Sequence, residues 1–539
     1  CRAEADWLVG MNASRAFTLR YNALLSVGRV QTPTLNLIVR RDAEIAAFEP
    51  RPYWEIRANF GDYEGLWIDP ETKETRTYDE AVAKRVKQEV AGKTGTVAEA
   101  TREMKRTPPP LLYDLTSLQR DANRLMGLSA AKTLKIAQAL YEQHKLITYP
   151  RTDSRFLPRD MISGAKRAMQ ALPEVYRPFV VGALDKPKSF GRVFADDKVT
   201  DHHAIIPTGA KADLSRLPEA ERKVFDLIAR RLIAAYYPDY EYESAEIMTR
   251  VGAHVFKTSG VTPRAEGWRA LYRDAPDEKE APPVPPVDPG ETRVVEGVSV
   301  KQQKTKPPAP HTDASLLSMM EHAGRLIEDE EIRERMKGSG LGTPATRAAV
   351  IERLIEVGYV ARRGKALLST DKGKGLIAVA PEEIASPETT GRWEKALYDI
   401  AAQKDGTETE RLTVRFMEGI RRYGAFLVEA AVRAPEAHFE REPSKSRRSA
   451  GKGAAKPRQK GLGEKCPVCG TGEVTENSRA FGCSRWKEGC KFTVWRDALK
   501  RDGHAEITAE SMKALLGGGR LKAGEAEYTL DKGILKRVP

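Results

Sequence analysis

Residues 146–158 have the sequence LITYPRTDSRFLP, which places Tyr149 between a threonine and a proline. Just upstream, apolar residues recur every three to four positions in residues 134–141 and predict an amphipathic helix that ends near His144. Pro150 disfavours helical dihedral angles at the preceding residue, so the chain should become extended at the tyrosine. The stretch therefore predicts a phenol that projects from the end of a helix.

Arg151 follows the tyrosine by two residues and can share its face in an extended segment. A neutral phenol is a weak nucleophile unless nearby cations favour the phenolate. An arginine supplies that charge and can also make a two-pronged contact to a phosphate. The pair favours attack on phosphorus, although a surface turn with a packed tyrosine would explain the same residues.

Length and charge set the frame for this stretch. A chain of 539 residues is too long for one core and should form several domains. Its 89 Lys+Arg residues against 76 Asp+Glu residues give a net charge of +13, which favours an anionic partner such as nucleic acid over ordinary basic solubility. Without a long apolar run or a signal peptide, the chain is expected to be soluble and intracellular.

The pattern alternates along the chain. Residues 2–19 are helical in pattern, and Thr32-Pro33 predicts a helix start with threonine as the N-cap. Residues 53–105 suggest short strands, a helical stretch follows TPPP, and strands return around the proline-rich APPVPPVDPG in residues 238–300. Residues 312–430 are mainly helical.

Residues 343–370 have the order of a winged-helix element. A proline-started helix is followed by a stop at Gly358 and a hairpin that turns at Arg363-Gly364. Farther on, residues 444–461 carry many basic residues and no acid, which predicts a disordered linker, either solvated or in contact with phosphate.

Several long blocks resemble one enzyme family. LLYDLTSLQRDANRLMGLSAAKTLKIAQALYEQHKLITYPRTDSRFLP, residues 111–158, resembles the catalytic segment of type IA DNA topoisomerases. LSVGRVQTPTLNLIVRRD, DHHAIIPT and GLGTPATRAAVIERLIEVGYV resemble other blocks of that family and occur in the family's order. Three features are similar to the topoisomerase III branch: the proline after the tyrosine, the double histidine and the sequence LGTPATRA.

The resemblance implies roles for three active-site residues. Tyr149 would be the nucleophile that forms a 5′-phosphotyrosyl bond to DNA, and Arg151 would hold the scissile phosphate. His202 of DHHAIIPT would be a second residue on the phosphate side. Alternatively, His202 is a turn residue that only donates a hydrogen bond to the backbone. His203 could also exchange roles with His202.

Other residues are implied in DNA binding. Arg2 and Asp6 are four apart on one helical face and form either an exposed ion pair or part of the single-strand path, which the resemblance favours. Thr346 and Arg347 open the second proline-started helix and resemble a further DNA contact.

The loop before Thr32-Pro33 holds three more candidates. Ser26, Arg29 and Gln31 stand near backbone amides at a helix N-terminus, which suits contacts to phosphate and base edges. Gly28 gives this loop backbone freedom. The alternative is a capping loop whose arginine only faces solvent.

The implied fold is a multidomain α+β toroid of helical domains and a β-rich arch, followed by a zinc ribbon. The strands of residues 51–106 and 238–300 should then meet in one domain, and the hole should be lined with positive charge. The expected segments are a helical segment 1–50 completed by a winged-helix-like domain 301–430, an arch 51–106 and 238–300, a tyrosine domain 107–237, a basic linker 431–463, a ribbon 464–500 and a C-terminal tail 501–539.

The family also carries an N-terminal TOPRIM domain with a magnesium-binding Asp-x-Asp-x-Glu cluster, and no part of this sequence matches it. The chain starts at Cys1 inside a helical pattern, so it is expected to be incomplete and inactive alone. The alternative is a truncated relative that only binds single-stranded DNA. The implied partners are single-stranded and underwound duplex DNA in the nucleoid of the cytoplasm, the implied state is a monomer, and a helicase partner is left open.

Four of the five cysteines lie close together near the C-terminus: Cys466, Cys469, Cys483 and Cys490. Thiolates with this pairing can close a tetrahedral structural zinc site, and the wider second spacing leaves reduced free thiols as the alternative. Aromatic and basic residues alternate around them and could stack on unpaired bases or form the ribbon's own core. The aromatic residues are Phe481, Trp486, Phe492 and Trp495.

Overall fold

The computed structural model describes residues 1–185, 190–199, 201–273, 282–336, 340–439, 460–477, 479–503 and 506–539. The chain divides into two compact units, Cys1–Glu442 and Pro443–Pro539. The first unit contains three hydrophobic cores and the second contains one. Within the described ranges, every helix is too short or too polar to cross a bilayer.

The chain opens with two helices, α1 (Arg2–Tyr21) and α2 (Gln31–Ala46). The prediction that Thr32 caps the second helix is wrong by two residues, because the N-cap is Val30. The Thr32 hydroxyl instead accepts a hydrogen bond from Gly28 N at 3.0 Å. Pro33 is tolerated in the first turn because the backbone N–H groups there have no helical partner.

The next segment forms one side of a sheet. Its elements are β1 (Pro52–Asn59), β2 (Glu64–Ile68), α3 (Glu80–Val90) and β3 (Thr94–Thr107). The helix α3 was not predicted among the expected short strands. It starts at Asp79, whose side chain accepts from Ala81 N at 2.7 Å, and it buries Ala83, Val86 and Val90 against the sheet.

Residues 107–237, the segment expected to be a tyrosine domain and called by that name below, are mainly helical. Its helices are α4 (Leu115–Met126), α5 (Ala130–Glu142), α6 (Ile162–Gln170), α7 (Arg177–Asp185) and α8 (Glu219–Ala234). Arg231 on α8 connects to α4, since its Nη2 donates to Asp121 Oδ2 and to the hydroxyl of Tyr113, each at 2.6 Å. This buried network holds α8 against α4 and against Tyr113, which lies just before α4.

The sheet is completed by β4 (Tyr240–Val251), β5 (His254–Ala265), β6 (Thr292–Val294) and β7 (Gly297–Lys304). The order is β6-β3-β4-β5-β2-β1-β7, with every pairing antiparallel. Strands from the two predicted arch segments therefore lie side by side. The short helical turn Gly267–Tyr272 lies within the predicted arch segment 238–300, but its Leu271 is buried in the core of the tyrosine domain.

The chain then returns to the first two helices. The elements are α9 (Asp313–Glu321), α10 (Glu330–Met336), α11 (Pro344–Glu356), β8 (Val360–Arg363), β9 (Ala366–Ser369), α12 (Asp371–Val379), α13 (Glu382–Ala385), α14 (Pro387–Ala401) and α15 (Gly406–Arg433). They share one core with α1 and α2. The hairpin turns at Gly364 and Lys365, one residue later than expected, since Arg363 pairs with Ala366.

One buried carboxylate joins this domain to the tyrosine domain. Asp313 is fully buried and accepts from Ala130 N, at the start of α5, at 3.0 Å. Its second oxygen pairs with Arg362 on β8. Because the carboxylate binds groups from both domains, the start of the helix that leads to the tyrosine is fixed to the winged-helix element.

The second unit contains β10 (Lys460–Lys465), β11 (Glu473–Glu476), β12 (Ala480–Cys483), β13 (Thr493–Trp495), α16 (Ala509–Leu516), β14 (Leu521–Ala523), β15 (Ala526–Asp531) and β16 (Ile534–Arg537). The predicted C-terminal tail is thus folded, and Met512 and Ala523 join the ribbon core. Both ends of the predicted linker 431–463 are structured, while residues 440–459 lie outside the described ranges.

Candidate functional site

Tyr149 stands where two chain segments pair. Just after α5, Lys145 adopts a φ of 56° and turns the chain. Thr148 N then donates to the carbonyl oxygen of Ile206 at 2.9 Å, and the Thr148 hydroxyl accepts from Ile206 N at 3.0 Å. This pairing brings LITYPR beside DHHAIIPT and leaves Tyr149 36% exposed, so that its phenol is open to a large substrate.

The two histidines of DHHAIIPT differ in their surroundings. The imidazole of His202 lies against Tyr149, with ring centroids 4.5 Å apart and planes inclined by 51°. The hydroxyl of Thr152 donates to the His202 carbonyl oxygen at 3.0 Å and holds this turn. By contrast, Nδ1 of His203 lies 2.8 Å from the carbonyl oxygen of Ala204. Of the pair, His202 faces the tyrosine.

Arg151 is exposed and is supported by α5. The side-chain amide of Gln138, with its oxygen toward the guanidinium, accepts from Arg151 Nε at 3.2 Å and from Nη2 at 2.8 Å. Tyr141, one turn along the same helix, packs edge-on to Tyr149 at a centroid distance of 5.5 Å. One helix face therefore positions both the tyrosine ring and the arginine.

Arg2, Asp6, Arg29 and Glu394 form a linked charge group, the Arg29 cluster. Asp6 Oδ1 accepts from Arg29 Nε at 2.6 Å, Glu394 Oε1 accepts from Arg29 Nη1 at 3.1 Å, and Arg2 pairs with Glu394 at 2.5 Å. Two of the expected alternatives are wrong. Arg2 and Asp6 do not form an ion pair with each other, and Arg29 does not face solvent, since it is only 6% exposed.

The cluster also sets the charge state of Arg29. Burial alone would lower the pKa of its guanidinium, but the carboxylates of Asp6 and Glu394 outweigh that effect and raise the pKa. The guanidinium lies 5.1 Å from the ring centroid of Trp393. Arg29 is therefore a permanently charged internal support, with Arg2 and Asp6 on the exposed side.

The two helix-start loops lie against each other. Gln31 Nε2 donates to Ser26 Oγ at 2.8 Å, and both side chains are half-buried. Ser26 N donates to the hydroxyl of Tyr359 at 2.6 Å. Gly342, with a φ of 72°, lies so near that a Cβ on it would be 3.3 Å from a methyl carbon of Val30. The loops before α2 and α11 thus lie next to each other, with the Ser26 and Gln31 side chains half-buried beside them.

Thr346 and Arg347 occupy the start of α11. Thr346 is exposed, and its hydroxyl accepts from Thr343 N at 3.1 Å in a capping box. Arg347 is 3% exposed and its Nη1 donates to Thr116 Oγ1, at the start of α4, at 3.2 Å. Burial lowers the pKa of this guanidinium, and the carboxylate of Glu321 opposes that shift. Arg347 thus joins α11 to the tyrosine domain.

The four clustered cysteines meet in the second unit. All four sulfurs lie within 4.8 Å of one another, with 3.7 Å between Cys466 and Cys490 and 3.6 Å between Cys469 and Cys483. A Cβ on Gly472 would come within 2.4 Å of the Cys483 sulfur, so the loop packs closely over the group. Four thiols at this spacing could hold a metal ion.

Protonation differs between the thiols. Backbone N–H groups of Gly472 and Thr471 lower the pKa of Cys469 to about 6, which favours the thiolate that a metal binds. Burial raises the pKa of Cys483 to about 12, so this thiol would release a proton on binding a metal. Phe481 and Phe492 are buried in the small core, whereas Trp486 and Trp495 are 59% and 55% exposed.

The most informative residues missed in the sequence are Gln138 and Glu394. Gln138 lies three residues before Tyr141 on α5, so the helical spacing placed both on one face and could have indicated a contact near Tyr149. Glu394 lies 392 residues from Arg2, its partner, and no local pattern connects them.

Comparison with known proteins follows this geometry. The model of a family described as DNA topoisomerase matches residues 1–410. DNA topoisomerase 3 of Bacillus subtilis is 42% identical over 413 residues, and that of Bacillus licheniformis is 40% identical over 412 residues. In each case the match covers 75% of this chain and 57% of the relative, so the chain spans little more than half the length of those relatives.

A solved structure supports the fold. Full-length topoisomerase I from Thermotoga maritima matches with a TM-score of 0.60 and 22% sequence identity, over 98% of this chain and 76% of that one. This confirms the predicted type IA topoisomerase fold.

Proposed function

This chain belongs to the type IA DNA topoisomerases and is similar to bacterial DNA topoisomerase 3, and from that membership we propose that it carries the strand-cleaving tyrosine of such an enzyme. The observation that supports this most directly is the exposed phenol of Tyr149 beside His202, at the junction of the two family blocks. The proposed activity is ATP-independent cleavage and rejoining of one DNA strand, with strand passage that relaxes or decatenates DNA.

In the proposed reaction, the Tyr149 oxygen attacks a backbone phosphorus. A bond forms between that oxygen and the phosphorus, and the bond from phosphorus to the 3′ oxygen breaks. The phenol loses its proton and the leaving 3′ oxygen gains one. The reverse attack by the 3′ hydroxyl rejoins the strand, so energy is conserved in the phosphotyrosyl bond and no nucleotide is consumed.

Arg151 and His202 are proposed to stabilise charge on the non-bridging oxygens of the phosphate. The Gln138 amide holds the Arg151 guanidinium through two of its donors, and the remaining N–H groups stay available for a phosphate. The contact of the His202 ring with the Tyr149 ring supports a role for both residues at the same phosphate.

The strand path is proposed to follow the Arg29 cluster and the paired loops. Exposed or half-buried groups at Arg2, Asp6, Ser26, Gln31 and Thr346 are the proposed direct contacts. Arg29 and Arg347 were predicted as contacts too, and their burial instead favours a role in holding these groups in place. The proposed substrates are single strands and underwound duplexes in the nucleoid, the proposed state is a monomer, and a helicase partner stays open.

The family's magnesium is assigned by resemblance to the carboxylates of a TOPRIM domain, which this sequence does not match. When bound, the ion would help to place the phosphate. The groups of this chain act on the tyrosine side of the same phosphate.

Covalent trapping tests the proposal. A protein that joins this chain to the TOPRIM domain of a relative is incubated with 5′-labelled and 3′-labelled single-stranded DNA and magnesium, then denatured. The label that lies 3′ to the break should stay on the protein, as a 5′-phosphotyrosyl bond requires. A joined protein that binds the DNA yet never forms an adduct would leave only the binding-module alternative.

We further propose that the four cysteines bind zinc. Metal analysis of reduced protein should find about one zinc per chain, since four ligands fill a tetrahedral ion. Chelation should unfold the second unit alone, seen as rapid proteolysis after residue 460 while residues 1–439 stay protected. The unit's small core, built around Phe481 and Phe492, explains the dependence on metal.

The matched variants are Cys483→Ala and Cys1→Ala. Cys1 is the one cysteine of the sequence outside the group and is exposed. Cys483→Ala should lose the zinc, whereas Cys1→Ala should keep it. Retention of zinc by Cys483→Ala would contradict the proposed ligand set.

A further inference from the structure

An open groove of about 820 Å³ lies between α14 and α15. Aromatic rings form its floor and one wall. Trp393 meets Phe416 and Tyr423 edge-on at 6.0 and 6.3 Å, and Tyr423 is stacked with Phe426 at 6.0 Å and 24°. Phe426 is 41% exposed. We call this the α14–α15 groove.

Two arginines of α15 border these rings. Arg415 and Arg422 are exposed, line the groove and lie seven residues apart, two turns along one helix face. In the part of the chain that the structure describes, neither forms an ion pair or side-chain hydrogen bond. On the opposite wall the cations are neutralised, since Lys395 pairs with Glu331 at 3.0 Å and Arg392 with Glu388 at 3.5 Å. Glu383 and Asp399 also line the groove on that side, so the unpaired positive charge of the groove lies along α15.

Packing alone explains only part of this arrangement. Trp393 is 7% exposed and serves as core, but Phe426 stays 41% exposed despite its stacking on Tyr423, and it lines the groove together with two arginines. A partly exposed ring with cations beside it suits unpaired bases joined by phosphates, because a base can stack on the ring and arginines can bind the backbone. A groove with this charge would repel a basic partner.

The groove is separate from the proposed tyrosine site but adjoins the strand path. Trp393 lies between them, since its ring is 5.1 Å from Arg29 and also lines the groove. The family model ends at residue 410, so the α15 wall lies beyond the residues it matches. The family likeness therefore assigns no role to this wall.

We propose that the α14–α15 groove is a second binding site for single-stranded DNA. Bases stack on Phe426 and Tyr423, and the flanking phosphates pair with Arg415 and Arg422. The proposal rests on the proposed function, in which the chain handles single strands. It adds a contact for DNA outside the segment held at Tyr149, which would keep a cleaved strand attached to the protein on that side.

The test uses the chain as it is, with a fluorescent oligothymidine of about 16 nucleotides, and compares neighbouring arginines. Arg422 lines the groove, while Arg421 is also exposed but lines the cleft between α15 and α1. Arg422→Gln should weaken binding and reduce the slope of log affinity against log salt by about 0.7, the value for one lost phosphate contact on a single strand. Arg421→Gln should leave the slope unchanged.

Stacking is tested separately. Phe426→Ala should weaken binding about fivefold or more, whereas Phe426→Tyr should preserve it, since the ring face is kept. Oligonucleotides that contain 5-iodouracil should crosslink to the peptide that holds Tyr423 and Phe426. Circular dichroism of each variant checks that α15 remains folded.

Several results would overturn the proposal. Equal effects of Arg421→Gln and Arg422→Gln would show a general charge effect, and unchanged affinity with no crosslink to α15 would leave the groove to a protein segment. In both cases the chain would still bind single strands, so the proposed function would stand. A chain with no affinity for single-stranded DNA would remove both proposals.

Discussion

Replacement of Tyr149 by phenylalanine is expected to abolish covalent attachment to DNA while affinity for single strands stays nearly intact. Only one oxygen is removed, and the phenyl ring can keep its contacts with Tyr141 and His202 at centroid distances of 5.5 and 4.5 Å. The measurement is adduct formation after denaturation, together with binding of labelled single-stranded DNA, in protein joined to a TOPRIM domain.

Tyr141→Phe is the matched control for that experiment. It removes a phenol oxygen from the neighbouring ring on α5 and should leave the adduct in place. An adduct formed by the Tyr149→Phe protein would place the nucleophile elsewhere and refute the assignment of the central residue.

Replacement of Arg151 by alanine should slow cleavage by about 10²- to 10³-fold, the usual scale for loss of one preorganised donor to developing charge. Single-turnover cleavage at saturating DNA would measure the chemical step apart from binding. Arg159→Ala is the control, because the Arg159 side chain is 76% exposed with its Nε 3.9 Å from Asp196, and the backbone hydrogen bond from Arg159 N to Asp196 is kept in the variant. A rate within threefold of the parent for Arg151→Ala would exclude it from the reaction.

Gln138 offers a finer test of how Arg151 is held. Gln138→Leu removes the acceptor of two guanidinium donors, so cleavage should slow by less than it does in Arg151→Ala. Gln138→Glu keeps an acceptor and should recover most of the rate. Equal cleavage rates in the parent, Gln138→Leu and Gln138→Glu proteins would show that the amide contact has no part in positioning the arginine.

Local patterns predicted much of the scaffold. The helix before the tyrosine, the extended segment at Pro150 and the winged-helix order all follow from periodicity and proline placement, and α5 ends within two residues of the predicted point. The predicted N-cap at Thr32 failed because a loop contact from Gly28 N engaged its hydroxyl. The segment 501–539 was expected to be a separate tail, but Ile507, Met512 and Ala523 are buried in the ribbon core, a contact that local sequence does not predict.

The predictions of site residues came from sequence blocks and their resemblance to a family, not from local periodicity. Tyr149, Arg151 and His202 lie in blocks whose spacing and resemblance point to them, and their functional roles stay predictions. The burial of Arg29 and Arg347 could not be predicted, because their partners Glu394 and Thr116 come from distant parts of the chain. A charged residue in a loop has no local signal that separates a phosphate contact from an internal ion pair.

The packing of α1 against α15 has a consequence for the chain while it is being synthesised. α1 packs against α15 and buries Ala5, Val9, Ala13 and Phe17, each at most 1% exposed. On the ribosome that apolar face emerges roughly 400 residues before its partner is complete, a delay of roughly 20–80 s at about 5–20 residues per second. Hydrophobic collapse of a polypeptide is much faster than this delay. During that period α15 is not there to cover the apolar face of α1, and a product released before Arg433 would leave this face open to aggregation and proteolysis.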